Sequence, residues 1–264
     1  MPEVTGHEPG GPCWLDLASP DPGTSMRFYR ELFGWSSYTL TQDAFGDYEI
    51  FTLGGTQGPR VAGMQTLADD TQPPSWTVYF GVADIAATGR AALAAGGREL
   101  FPPREGVGLG YAAMYSDPEG ADFALWQPTE PEGMEIVREP GAMCWVELAS
   151  RDIERARRFY GEVFGWRSVE YEYYRAAPYT NWEAGGRQVG GMVFMDEHWP
   201  PHWGAHWIPY FWVEDCDATA WRATDLGARM TIPPTAIPPG RFATIMDPTG
   251  ARLAMITPDL SFQG

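Results

Sequence analysis

Residues 13–36 read CWLDLASPDPGTSMRFYRELFGWS, and residues 144–167 read CWVELASRDIERARRFYGEVFGWR, with about half of the positions identical at an offset of 131. A repeat of this length means that one structural unit occurs twice, and it constrains the fold more than any single motif does. The match runs on. Val78 to Val82 lies over Pro209 to Val213, Pro102-Pro103 lies over Pro233-Pro234, and Gly110 to Pro128 lies over Gly240 to Pro258. The last pair includes Asp117-Pro118-x-Gly120-Ala121 over Asp247-Pro248-x-Gly250-Ala251. The Pro- and Glu-rich segment Thr129 to Gly141 has the composition of a linker. The expected organisation is a first domain over residues 1–130 and a second over 142–264.

Each half has an inner rhythm. An alternating strand, Cys13 to Ser19, leads into a helix in which Met26, Tyr29, Leu32 and Phe33 keep helical spacing, and Gly34 ends it. Short strands follow near Tyr48 to Leu53 and Val61 to Leu67. The pattern then restarts with a strand at Trp76 to Val82, a helix at Asp84 to Ala95, and strands at Ala112 to Tyr115 and Ala121 to Gln127. Each half therefore reads as two βαβββ modules, and the chain as four, an α+β protein. Whether modules pair within a half or across halves is left open by the sequence.

Composition narrows the partners. Asp and Glu total 35 against 18 basic residues, for a formal charge of -17, and every basic residue is Arg. Such a surface repels phosphate backbones and anionic membranes, so neither nucleic acid nor a membrane is expected as a partner. No apolar run approaches the roughly 20 residues that a spanning helix needs. Residues 1–11 have neither a basic start nor an apolar stretch and do not read as a signal peptide. Three cysteines, Cys13, Cys144 and Cys216, make no disulfide framework, which fits a reducing cytoplasm.

The paired strand-Asp-helix signature ending FY-x-x-x-F-G-W, Asp21 to Trp35 and Asp152 to Trp166, resembles the vicinal oxygen chelate superfamily. That superfamily includes glyoxalases, bleomycin-resistance proteins and extradiol dioxygenases. The DP-x-GA turns are similar to the final strand turn of its domains. The resemblance runs from about Gly11 to Pro258, and the tandem form is similar to actinomycete proteins of aromatic polyketide antibiotic clusters. It implies two glyoxalase/bleomycin-resistance-like domains with curved mixed sheets around clefts. A fold of this kind carries many chemistries, so function must be argued from the site.

Superfamily enzymes hold a divalent metal with His, Gln or Glu at set strand positions. One ligand stands seven residues before each helix-opening Asp, and another seven after the Asp of the DP-x-G turn. Here those positions hold Trp14, Trp145, Thr77, Ile208, Ala124 and Ala254. None is a ligand type for a catalytic divalent ion. The expectation is no metal and no cofactor. His198, His202 and His206 recur every four residues, but Pro200 and Pro201 interrupt any helix, so the segment reads as an irregular aromatic loop. Gly106, Gly108 and Gly110 resemble a phosphate loop only superficially, because a strand follows them.

Strand alternation identifies what faces the clefts. Trp14 and Asp16 share a face in the first half, as do Trp145 and Glu147 in the second. Cys13 and Cys144 then fall on the core side with Leu15 and Leu17. Tyr79, Tyr210 and Trp212 come from the second-module strands. The last strands add Asp122 and Trp126 in one half, and Arg252 and Ile256 in the other. The candidate ligand-binding set is Trp14, Asp16, Tyr79, Trp126, Trp145, Glu147, Tyr210 and Trp212. Indole and phenol rings stack on planar ligands and attract cations, more so beside a carboxylate. A small planar aromatic ligand is expected, with an amine as the group that Asp16 or Glu147 would favour. Two functions remain open. One is metal-free binding for resistance, sequestration or delivery to a tailoring enzyme, as a monomer or homodimer. The other is a metal-independent tailoring enzyme (a hydroxylase component, cyclase or epimerase) in which a cleft carboxyl or tyrosine acts as acid or base.

Overall fold

Helix α1 (Pro22–Phe33) starts where Asp21 accepts the backbone N–H of Thr24, and it stops at Gly34 in the left-handed conformation, φ 71°. Helix α3 (Ile153–Phe164) repeats both devices with Asp152 and Gly165. The side-chain cap satisfies an orphan N–H, and glycine takes the positive φ without strain. Helices α2 (Ile85–Ala94) and α4 (Cys216–Asp225) are capped by Asp84 and Asp215 in the same manner. The helix-opening aspartates of the repeat are therefore caps. The computed structural model describes residues 9–42, 46–67, 72–106, 110–129, 133–171 and 179–262. Residues 1–8 and Gly108 lie outside the described residues; Gly106 ends one strand and Gly110 opens the next.

The first half contributes β1 (Pro12–Ser19), β2 (Trp35–Gln42), β3 (Gly46–Leu53), β4 (Arg60–Thr66), β5 (Ser75–Gly81), β6 (Arg98–Gly106), β7 (Gly110–Ser116) and β8 (Asp122–Pro128). They form one mixed sheet in the order β2-β3-β4-β1-β5-β8-β7-β6. The second half contributes β9 (Met143–Ser150), β10 (Arg167–Tyr171), β11 (Tyr179–Ala184), β12 (Arg187–Phe194), β13 (His206–Trp212), β14 (Arg229–Ile237), β15 (Gly240–Met246) and β16 (Arg252–Pro258). Its order, β10-β11-β12-β9-β13-β16-β15-β14, is the same topology. The modules pair within each half, through β1–β5 and β9–β13. Strands β2 and β6 carry weak sequence signals because both are sheet edges. An edge needs no strict alternation, and it tolerates the Pro102-Pro103 pair that a central strand would reject.

The two halves share one apolar core. Phe80 of β5 meets Trp166 and Trp207 at 5.2 and 5.1 Å between ring centroids. Its repeat partner Phe211 meets Trp35 and Trp76 at 5.4 and 5.6 Å. Polar ties cross the same seam. Tyr29 donates its hydroxyl to Asp247 Oδ2 at 2.7 Å, and Tyr160 donates to Asp117 Oδ2 at 3.2 Å. Trp76 and Trp207 donate their indole N–H to those two phenol oxygens. Trp35 donates to the carbonyl of Gly141, and Trp166 to that of Gly10. The FY-x-x-x-F-G-W signature thus joins one half to the DP-x-GA turn of the other. Among the described residues, no helix is long and apolar enough to cross a membrane.

Candidate functional site

A short strand with alternating faces puts Trp14 and Asp16 on one side of β1 and Leu15 and Leu17 in the core on the other. Asp16, 6% exposed, is the hub of a polar cluster. Its Oδ1 accepts from Trp14 Nε1 at 3.0 Å and from Tyr48, and its Oδ2 accepts from Tyr79 at 2.7 Å. Trp14 Nε1 also lies 2.8 Å from Tyr48 Oη. Burial pushes the Asp16 carboxyl up, and the three donors pull it back. Burial and the neighbouring carboxyl raise both phenols well above their ordinary range.

The second half repeats the cluster residue for residue. Tyr210 donates to Glu147 Oε1 at 2.9 Å, Tyr179 also hydrogen-bonds Glu147, and Trp145 Nε1 donates to Tyr179 Oη at 2.9 Å. Burial raises the Glu147 carboxyl, opposed by its two phenol donors. In both halves the carboxyl is taken up by phenols. The cluster brings together Trp14, Asp16 and Tyr79 in one half, and Trp145, Glu147 and Tyr210 in the other.

Tyr48 and Tyr179 were absent from the sequence-derived set, although they too stand 131 residues apart. That offset is the signal that finds them. The approach of each phenol depends on a glycine in the neighbouring strand, Gly63 opposite Asp16 and Gly191 opposite Glu147. A Cβ on Gly63 would sit 1.8 Å from Tyr48 Oη, and one on Gly191 would sit 2.0 Å from Tyr179 Oη. Gly191→Ala is therefore expected to expel Tyr179 from the cluster and to lower stability by roughly 1–3 kcal/mol, the usual cost of overpacking. Urea denaturation with Trp emission checks it, and a variant with wild-type stability would mean that Tyr179 is not held there.

A cavity of about 990 Å³ opens in the second half. Trp145, Tyr179, Tyr210, Trp212 and Glu147 line it, with Phe242 stacked on Tyr210 at 6.3 Å. Asn181 lines it too, 3% exposed, and its Oδ1 has no hydrogen-bond partner among the described residues. Trp199 and Trp203 of the loop between β12 and β13 complete the wall. Arg151 ties that loop down through the carbonyls of Met195 and Pro200, at 3.2 and 3.0 Å. Cys144 departs from the expected core position: it is half-buried and faces this cavity. A β-bulge adjoins both Cys144 and Cys13, and Cys13 stays buried, so the difference lies in the cavity that opens beside Cys144. Burial pushes its thiol up to about 12, so it is no thiolate at neutral pH. Trp126 stands apart from the first-half cluster. It is half-buried on β8, aligned with Gly81, and among the described residues no hydrogen bond joins its side chain to Asp16.

The positions that bind metal in superfamily enzymes do not fit an ion here. Ala124 and Ala254 are fully buried methyl groups, and Trp14 and Trp145 spend their N–H on oxygen. Among the described residues no three His, Cys, Asp or Glu gather as a metal site. The aromatic loop scatters its histidines. His198 pairs with Asp196, and His206 Nδ1 bonds the Gly204 carbonyl at 2.8 Å.

Burial, with Arg252 nearby, lowers His206 from an ordinary 6.5 to about 4. The unfolded chain then takes up a proton on this residue below about 6.5, where the folded chain does so only near 4. Stability from this group is complete above 6.5 and is lost as pH falls through that window. The wild-type and His206→Asn proteins should diverge in urea midpoint between pH 7 and pH 5, with the wild type falling faster. Parallel midpoints would place the imidazole in water.

Two eight-stranded sheets of identical order, each with a buried carboxyl held by two tyrosines, define a duplicated glyoxalase-type protein. Residues 14–126 match the model of the glyoxalase-like domain, and residues 142–255 that of the glyoxalase/bleomycin resistance protein/dioxygenase superfamily. The chain belongs to that superfamily, the vicinal oxygen chelate proteins. It is 34% identical to the anthracycline biosynthesis protein DauV of Streptomyces sp. (strain C5), covering 96% of this chain and 95% of the relative. It is also 34% identical to the anthracycline biosynthesis protein DnrV of Streptomyces peucetius, with the same coverage. The 2,3-dioxygenase LapB from Pseudomonas sp. KL28 shares the fold at TM-score 0.60 and 16% identity, over 97% of both chains.

Proposed function

We propose that this protein binds a planar aromatic polyketide of the anthracycline type, without a metal, in the cavity of its second half. The single observation that carries the reading is the wall of that cavity, where Trp145, Tyr210 and Trp212 present flat apolar surface around one buried carboxyl. A pocket of this volume suits a ligand of several fused rings. Asn181 Oδ1 is an acceptor without a partner among the described residues, and a ring hydroxyl would satisfy it. The names of DauV and DnrV support the class of compound. The binding serves sequestration, resistance or hand-over to a tailoring enzyme.

One observation favours a second reading, a metal-independent tailoring enzyme. Burial raises the Glu147 carboxyl against the pull of its two phenol donors, and a carboxyl so raised beside a cavity can serve as an acid or base. Titration with an anthracycline aglycone in EDTA, following Trp emission and the recovered compound together, separates the two. Saturable quenching with unchanged compound is the expected result. Turnover in EDTA would establish the enzyme, and binding that vanishes in EDTA would restore a metal.

A further inference from the structure

We propose that Arg252 is the specificity-determining residue of the second-half cavity, and that it receives a carboxylate carried by the planar ligand. The inference rests on the reading of the cavity as an aromatic-ligand site and adds the polar group such a ligand must bear.

Arg252 opens β16 and lines the cavity. Its guanidinium lies over the Trp203 ring, 3.6 Å from the centroid. Stacking of this kind holds the planar group and its direction while leaving its edge N–H groups free to bond. One of those groups is used. Arg252 Nη1 lies 3.4 Å from His206 Nε2. His206 Nδ1 faces the Gly204 carbonyl, so it carries the ring proton, and Nε2 is left as an acceptor for arginine. Among the described residues Arg252 makes no ion pair. The other half-buried arginines set the contrast: Arg241 pairs with Asp217, Arg60 with Glu135 and Arg157 with Glu170. In a chain of net charge -17, a half-buried cation without a carboxylate is a conspicuous exception.

The duplication supplies an internal comparison. Arg252 pairs with Met246 across the β15–β16 ladder, and Asp122 pairs with Ser116 at the same place in the first half. One fold position therefore carries opposite charges in the two copies, so the shared architecture does not require arginine there. Burial, and then Arg229 close by, lower the Arg252 pKa, as befits a cation with no counter-charge. The carboxyls that might have selected a cationic ligand, Asp16 and Glu147, are already bonded to phenols. A carboxylate is the acceptor that matches the open edge of a guanidinium, two N–H groups to two oxygens. It also needs a local cation to approach so acidic a protein.

The test uses two probes of one ring system, anthraquinone-2-carboxylate and 2-(hydroxymethyl)anthraquinone, titrated into the full chain by Trp quenching. The acid is expected to bind wild type at least tenfold tighter than the alcohol, and the advantage should shrink between 50 and 500 mM salt. Arg252→Met keeps an unbranched stem against Trp203 and should weaken the acid tenfold or more while leaving the alcohol within about twofold. Arg252→Lys should retain part of the preference. Arg241→Met, which removes a charge already paired outside the cavity, should leave both affinities unchanged, and circular dichroism confirms folding. Equal affinity of the two probes for wild type, or equal weakening of both by Arg252→Met, overturns the assignment of Arg252 and leaves the aromatic site standing. Failure of both probes to bind overturns the aromatic site and this inference together.

Discussion

Asp247→Ala is expected to destabilise the protein by roughly 3–5 kcal/mol, because one carboxylate holds both a turn and the seam between the halves. Its Oδ1 accepts from the backbone N–H groups of Thr249, Gly250 and Ala251 and from the Thr249 hydroxyl. Its Oδ2 accepts from Tyr29 of the other half. Alanine leaves the buried Tyr29 hydroxyl and Ala251 N–H without their acceptor and strips Thr249 of its bonds, while the Gly250 N–H keeps the backbone carbonyl of residue 247. Each buried stranded group costs about 1–3 kcal/mol before relaxation. Tyr29→Phe keeps the turn but removes the crossing bond and, with it, the acceptor of the buried Trp76 N–H, and should cost about 1–3 kcal/mol. Urea denaturation of both variants measures the difference. Asp117→Ala, at the equivalent turn, should behave like Asp247→Ala. A loss below about 1 kcal/mol for Asp247→Ala would mean that water reaches the turn and the seam is not closed.

The second large effect concerns affinity. Trp145→Ala removes an indole from the cavity wall and should weaken an anthracycline aglycone about tenfold or more. Ring stacking contributes roughly 0.5–1.5 kcal/mol beyond area, and lost apolar contact adds about 25 cal/mol per Å². A tenfold change corresponds to about 1.4 kcal/mol, which the two terms together supply. Trp14→Ala makes the equivalent change in the half away from this cavity and should leave the affinity within about twofold. Calorimetric titration of both variants decides the matter. Equal losses for Trp14→Ala and Trp145→Ala would place the ligand between the halves, and no loss in either would place it outside both clefts.

Much of this site could be read from strand parity. Trp14 with Asp16, and Trp145 with Glu147, share a face because alternate residues of a strand must, and Tyr79 and Tyr210 follow by the repeat. The same rule placed Cys13 inside but misplaced Cys144, because a cavity opens beside the second cysteine and parity carries no information about cavities. Tyr48 and Tyr179 lie in strands whose order in the sheet no local pattern reveals. Their hydroxyls reach Asp16 and Glu147 only across neighbouring strands that carry Gly63 and Gly191 at the crossing.

The sequence by itself determined the duplication, the βαβββ rhythm and the helix limits. These are local matters, since capping aspartates, glycine stops and alternating faces act within a few residues of the chain. Only the tertiary structure decided that modules pair within a half, and that Tyr29 and Tyr160 reach across to the DP-x-GA turns of the opposite copy. A repeat makes pairing within and across halves equally legible, because the same strand faces occur in both copies. The choice lies in which packing closes the shared aromatic core around Phe80 and Phe211 and leaves the fewest buried polar groups unbonded. The asymmetry of the clefts is tertiary too. Arg252 and Asp122 stand at one position of the fold, but the arginine borders a cavity only because the loop carrying Trp203 packs against it and holds its guanidinium there.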